Sequence, residues 1–188
     1  MKDWWVGWGQ DVSARILTYF IRHPTKETYP RELERLLKIS SGSISMICKE
    51  LGKIRILKSR RMARVHFYKL NNENVFVRTL KSGWFVGRLD RHHQLIENPE
   101  FQSIVLYGSY ARGEFNEKSD VDLLIITNME KTKVQSLLEP LGKNLGVDLS
   151  LTIFTLAQWK ELADKNDRFY KEVLANHILL YGASALVG

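Results

Sequence analysis

Asp120 and Asp122 stand two residues apart in Ser119-Asp120-Val121-Asp122-Leu123-Leu124-Ile125, a run with the apolar, β-branched character of a strand. Residues two apart on a strand point to the same face, so both carboxylates share it. Side by side they repel each other unless a cation sits between them. Magnesium suits that place, because it takes carboxylate and phosphate oxygens together. Upstream, an apolar run ends at Leu106-Tyr107 and Gly108-Ser109 opens a short helix. A glycine there lets the backbone approach an anion, and Ser109 adds a hydroxyl and an amide at a helix start, where phosphate is favoured. Arg112 can touch phosphate or brace the loop. Gly113 turns the chain back towards the acidic pair, and Glu114 and Glu117 read as solvated loop charges. A third carboxylate, Asp148 in Val147-Asp148-Leu149-Ser150-Leu151, converges with the pair if its strand lies beside 121–127.

Such a site needs a sheet to hold it. From Gln102 onward the pattern supplies strands at 102–107, 121–127 and 147–154, helices at 130–142 and 156–175, and a short last strand at 178–181. That alternation implies an α/β domain of about 90 residues. Before it, Val75, Phe76, Leu80, Trp84 and Leu89 give residues 71–98 the spacing of a helical connector, broken at Gly83 and Gly87.

The N-terminal part reads differently. Asp11 caps a helix with Val12, Ile16, Leu17, Phe20 and Ile21 at helical spacing, and Pro24 closes it. Pro30 opens a second helix, with Leu33, Leu36 and Leu37 inward. A third carries Ile44, Ile47, Cys48 and Leu51 on one face and Ser41, Ser43, Ser45, Met46 and Lys49 on the other. Two β-type stretches follow, Ile54 to Lys58 and Arg64 to Leu70, joined by a turn without Gly or Asn. Residues 1–70 carry 15 Lys and Arg against 6 Asp and Glu; residues 71–188 carry 13 against 15. A basic module that meets a polyanion, followed by a near-neutral module with another task, accounts for this asymmetry.

The segment Gly108-Ser109-Tyr110-Ala111-Arg112-Gly113, the short gap and Ser119-Asp120-Val121-Asp122 resemble the polymerase-β-like nucleotidyltransferase superfamily, above all its minimal nucleotidyltransferase (MNT) branch. The likeness extends over about residues 100–182, through Asp148 to the closing Leu180-Tyr181-Gly182. It implies that Asp120 and Asp122 hold two Mg²⁺ ions, with Asp148 completing the metal site or activating the acceptor hydroxyl. Gly108, Ser109, Arg112 and Ser119 would bind a nucleoside triphosphate, ATP foremost. A nucleoside monophosphate would pass to an acceptor that the sequence does not name, and pyrophosphate would leave. The competing reading is a fold kept for nucleotide sensing or partner docking in a DNA-binding regulator. The MNT branch often acts as antitoxins to HEPN-domain proteins, some by nucleotidylating them, so a HEPN partner here would be a separate protein.

Residues 11–70 resemble the winged helix-turn-helix family of prokaryotic regulators, with Arg55 where many relatives carry a Gly. The resemblance implies duplex DNA as partner and a homodimer by the habit of such regulators. Ser43, Met46 and Lys49 of the third helix and Lys53, Lys58, Arg60, Arg61 and Arg64 towards the wing are the candidate contacts. Between 52 and 70 there are seven basic residues and no acidic one, a composition for phosphates or a minor groove. The third helix is poor in Arg, Asn and Gln, so it offers little bidentate base reading. The expected fold is therefore α/β (α+β): a winged helix at 1–70, a connector at 71–98, and a nucleotidyltransferase domain with a small mixed sheet at 99–188.

The remaining features are bland. The chain has 188 residues, 44% hydrophobic and 26% charged, an ordinary globular composition. It lacks any apolar run long enough to span a bilayer and any apolar signal segment, and its single Cys48 excludes an internal disulfide. These favour the cytoplasm and no membrane partner. Trp4, Trp5 and Trp8 read as packing residues, and the adjacent His92 and His93 diverge on a helix and make a poor metal pair.

Overall fold

The computed structural model describes residues 11–183; Trp4, Trp5 and Trp8 lie outside the described residues. The chain divides into two compact units, Met1–Arg78 and Thr79–Gly188.

The first unit contains three helices and a hairpin. Helix α1 (Val12–Arg22) starts where the Asp11 carboxylate accepts the Ala14 amide at 2.9 Å. Helix α2 (Pro30–Leu37) places its proline in the first turn, where a missing N–H costs nothing. Helix α3 (Ser41–Lys53) is capped by the Ser40 hydroxyl. Strands β1 (Leu57–Met62) and β2 (Val65–Leu70) pair antiparallel from Leu57↔Leu70 to Met62↔Val65. Ile16, Phe20, Leu33, Ile44, Cys48 and Leu70 fill the core. The end of α3 explains the odd Arg55. It sits at φ 63°, its amide donates to Gly52 and the Ile56 amide reaches back to Leu51. This is a Schellman ending, whose left-handed position usually holds glycine. The hairpin turn does without Gly or Asn because Ala63 itself takes φ 53°.

The second unit is built on a four-stranded sheet. Its elements are α4 (Val75–Asp90), within which the division of the chain falls, α5 (His93–Ile96), β3 (Phe101–Tyr107), α6 (Gly108–Ala111), β4 (Val121–Thr127), α7 (Lys131–Leu145), β5 (Leu149–Phe154), α8 (Leu156–Asp164), α9 (Arg168–Ala175) and β6 (Ile178–Gly182). The segment expected as a connector is thus α4 and α5, with Phe85, Leu89 and Ile96 fully or nearly buried. The sheet order is β5-β4-β3-β6, with β4 and β5 parallel and the other two pairs antiparallel. It is the small mixed sheet that the sequence implied.

Three expectations need correcting. The first β-type stretch, expected at Ile54 to Lys58, is β1 at Leu57–Met62, because the ending of α3 takes up residues 54–56. The stretch 156–175 is two helices, because Asn166 adopts φ 54° and the Asp167 carboxylate caps a new start at Arg168 by accepting the Phe169 amide. Helix α7 runs on to Leu145, where Gly146 at φ 66° ends it.

Alternation sorts the sheet into two faces. Val105, Leu124 and Ile126 form one face and pack with Trp159 of α8 and Val173 of α9. Ile104, Leu106, Leu123 and Ile125 form the other and are fully buried, as are Val134, Leu138 and Leu141 of α7, which packs on β5.

Candidate active site

Tyr107, Asp122 and Ser150 stand side by side on three neighbouring strands, since Tyr107 pairs with Asp122 across β3–β4 and Asp122 with Ser150 across β4–β5. By alternation they share the face of Val105 and Leu124, the face that α8 and α9 cover further along. They mark the edge where that cover ends.

Gly108 holds the arrangement together. It follows Tyr107 at φ +67°, and a Cβ built on it would lie 2.2 Å from Asp122 Oδ2. Only a glycine lets the turn come this close to the carboxylate, for steric as well as conformational reasons. The backbone of the Gly-Ser turn and the second acid of the Asp-x-Asp pair are thereby in direct contact. Helix α6 is a single turn of four residues. The amides of the turn itself, rather than a helix dipole, are what it offers an anion.

Burial pushes the Asp122 carboxyl above the usual range. A hydrogen bond from Ser150 opposes that shift, the charge of Asp120 adds to it, Arg112 offsets it and Glu172 of α9 adds again. Two further carboxylates, Asp120 and Glu172, thus act on the half-buried Asp122, and a bound cation would relieve that repulsion. The cradle at Gly108 is closed to any larger side chain and faces the Asp122 carboxylate, an oxygen donor of the kind that a hard cation such as magnesium takes. Asp120 is exposed and lies just before β4.

Strand β5 does lie beside β4, and the Asp148 carbonyl accepts the Val121 amide at 2.9 Å. The Asp148 side chain, however, is exposed one residue before the strand. Among the described residues no three Asp, Glu, His or Cys side chains are grouped closely enough to hold a metal ion.

The loop between the Gly-Ser turn and the acidic pair is tied internally. Arg112 donates to Glu114 at 2.8 Å, so it braces the loop while its charge still reaches Asp122. The Ser119 hydroxyl accepts the Asn116 amide at 3.0 Å and closes the loop's far end. Tyr107 is also tied down, its hydroxyl sharing a hydrogen bond with Thr152 Oγ1 at 2.9 Å. Ser150, Thr152, Tyr107 and Glu172 escaped the sequence reading. The first three could have been found by alternation once the β3–β4 and β4–β5 registers were known; Glu172 comes from a helix remote in sequence and left no signal.

In the first unit, the candidate DNA contacts separate into two groups. Arg60 is held bidentately by Glu27, Nε to Oε1 at 2.7 Å and Nη2 to Oε2, and lies 4.9 Å over the Phe67 ring. Lys58 pairs with Glu73 at 2.6 Å and Lys53 with Glu50 at 2.7 Å. Arg61 bonds the Ala63 carbonyl through Nε, and Arg64 is exposed at the turn. Met46 and Lys49 are exposed on α3, and Ser43 bonds Ser40 at 2.9 Å at its start.

Residues 94–179 match the model of the nucleotidyltransferase domain family. Over 82 residues the chain is 35% identical to a Methanocaldococcus jannaschii protein named as a protein adenylyltransferase, covering 43% of this chain and 78% of that protein. A crystal structure of a toxin–antitoxin pair with AMP-PNP aligns over 50% of this chain and 73% of that one, at 20% identity and a TM-score of 0.38. A tri-AMPylated Shewanella oneidensis HEPN toxin in complex with its MNT antitoxin aligns over 50% and 69%, at 18% identity and a TM-score of 0.34.

Proposed function

The chain belongs to the nucleotidyltransferase domain family, and on that premise we propose that it adenylylates a hydroxyl of a separate protein, using ATP and magnesium. The observation that carries the reading is the contact of Gly108 with Asp122, which sets the Gly-Ser turn against the second acid of the Asp-x-Asp pair. A protein acceptor is supported by the name of the Methanocaldococcus relative. The likeness to the MNT branch makes a separate HEPN-domain protein the first acceptor to try.

In this mechanism the amides of Gly108 and Ser109 and the Ser109 hydroxyl bind the β- and γ-phosphates. Asp120 and Asp122 hold the metal, and the Ser150 hydrogen bond fixes the Asp122 carboxylate. Magnesium, when bound, neutralises phosphate charge on both the attacking and the leaving side. Arg112 and Ser119 keep the loop shaped around the triphosphate through their bonds to Glu114 and Asn116. Asp148, exposed just before β5 with its carbonyl bonded to the Val121 amide, takes the proton of the acceptor hydroxyl. The hydroxyl oxygen bonds to the α-phosphorus, the α–β bridging P–O bond breaks, and pyrophosphate departs. The test is incubation with Mg²⁺, α-labelled ATP and the acceptor. Label should enter the acceptor with the wild type and not with Asp120→Asn plus Asp122→Asn. Label transfer that persists in the double variant overturns the site.

A second role belongs to the first unit. Its three helices and basic hairpin support a winged helix that binds duplex DNA through phosphates. Arg55, Arg61 and Arg64 carry that contact, and Arg60 serves chiefly to hold the hairpin against Glu27.

A further inference from the structure

We propose that helix α4 clamps the active-site loop, with Lys81 and Ser82 as positioning residues for nucleotide binding. Lys81 is fully buried, a rare state for a lysine. Its ammonium donates to the Phe115 carbonyl at 2.7 Å and lies 4.5 Å from the centroid of the Phe115 ring. The next residue, Ser82, donates its hydroxyl to the Ala111 carbonyl at 2.9 Å. Ala111 and Phe115 bracket Arg112-Gly113-Glu114, the turn that carries the chain from the phosphate-binding glycine back to Asp120. The same helix sets Phe85 against Tyr110 at 4.2 Å, and Tyr110 stacks on Phe115 at 4.2 Å with 5° between the ring planes. Both ends of the turn are thus fastened to one rigid element by side-chain bonds, with an aromatic stack beneath.

Fold stability alone argues against a lysine at this position. Burying an ammonium is costly, and an apolar side chain of the same length would fill the space without that cost. The cost is visible in the group itself: burial lowers the Lys81 ammonium to about 8, against the opposing charges of Glu117 and Glu114. What a methionine could not supply is a donor for the Phe115 carbonyl. The residues from Arg112 to Asp120 include no strand or regular helix, so their shape depends on such anchors. Asp120 is the site residue at the end of that loop, outside the strand that holds Asp122. Loosening the clamp therefore misplaces Asp120 relative to the Gly108-Ser109 turn while the sheet stays intact.

The inference rests on the nucleotidyltransferase reading for its consequence, not for the clamp itself. The experiment compares the full-length wild type with Lys81→Met and Ser82→Ala by three measurements. These are amide hydrogen exchange of residues 112–120, affinity for ATP in the presence of Mg²⁺, and the denaturant midpoint. Lys81→Met should speed exchange in 112–120 but not in the sheet, weaken Mg-ATP binding about tenfold, and leave the midpoint unchanged or higher. Ser82→Ala should shift exchange and affinity the same way, about threefold, and it decides the question if Lys81→Met does not fold. A lysine that merely stabilises the fold would lose affinity only in step with the midpoint, and that result overturns the proposal. So does unchanged exchange at 112–120 in both variants. If the wild type binds no Mg-ATP, the nucleotidyltransferase reading fails, while the exchange measurement still decides the clamp.

Discussion

Two residues show how single side chains set this site. Gly108→Ala puts a methyl 2.2 Å from Asp122 Oδ2 at a φ of +67°, so the turn must shift or the carboxylate must leave. We expect a stability loss of about 1–3 kcal/mol and Mg-ATP affinity reduced more than tenfold, read from a urea melt and calorimetric titration. Retained affinity would mean that the turn does not bind phosphate. Lys81 makes a pH prediction with a defined sign. Its folded value is lowered to about 8, so between there and the unfolded value near 10.5 the unfolded chain binds more protons. Stability contributed by this group therefore rises as pH climbs through that window, and is flat below it. The difference in unfolding free energy between wild type and Lys81→Met should move in favour of the wild type from pH 8 to 10.5. The change should be roughly 3 kcal/mol at most. A flat difference across that range would show that the lysine titrates normally.

At the scale of elements, the strained points are the ends of α3 and of the hairpin. Arg55 occupies a left-handed position in the Schellman ending of α3, and Asn71 and Asn74 both donate to its carbonyl, at 2.9 and 3.0 Å. Arg55→Gly should stabilise the first unit by about 1 kcal/mol, because glycine takes this conformation without a Cβ penalty. If Arg55 contacts phosphate, the same change weakens duplex binding, so stability and affinity move in opposite directions. A denaturant midpoint and fluorescence anisotropy on the same variant check both halves. The hairpin makes a second distinction. Arg60 and Glu27 form a bidentate pair, and that pairing pulls Glu27 below the usual carboxylate range. Glu27→Gln should free Arg60 and tighten DNA binding, whereas the opposite result would place Arg60 outside the interface.

For the molecule as a whole, charge divides the work. The first 70 residues hold 15 basic against 6 acidic groups, and the rest is slightly acidic. Duplex affinity should therefore fall steeply with salt, by about 0.9 log unit per phosphate contact for each tenfold increase. Removing Arg61 and Arg64 together should flatten the slope by about two contacts' worth. Absence of duplex affinity even at low salt would make the first unit a protein-docking module. No helix among the described residues is long and apolar enough to cross a membrane.

The sequence by itself determined the nucleotidyltransferase family. Gly108-Ser109 and Asp120-x-Asp122 were legible because they are local: a glycine turn after a strand and a two-residue alternation need only near neighbours to be read. The sheet strands were legible for the same reason, since apolar runs announce themselves. Boundaries set by backbone conformation were not, as at Asn166, where an ordinary residue takes a positive φ and divides α8 from α9. Tertiary structure alone decided who stands beside the acids. Ser150 faces Asp122 because of the parallel β4–β5 register, and Glu172 reaches it from α9. The same holds for Lys81 and Ser82: helical spacing made their helix a connector, and only packing bonded it to the carbonyls of Phe115 and Ala111. Glu27 likewise withdrew Arg60 from the free charges of the hairpin across 33 residues of chain. Partnership between residues distant in the chain is set by how elements pack, and no local pattern encodes it.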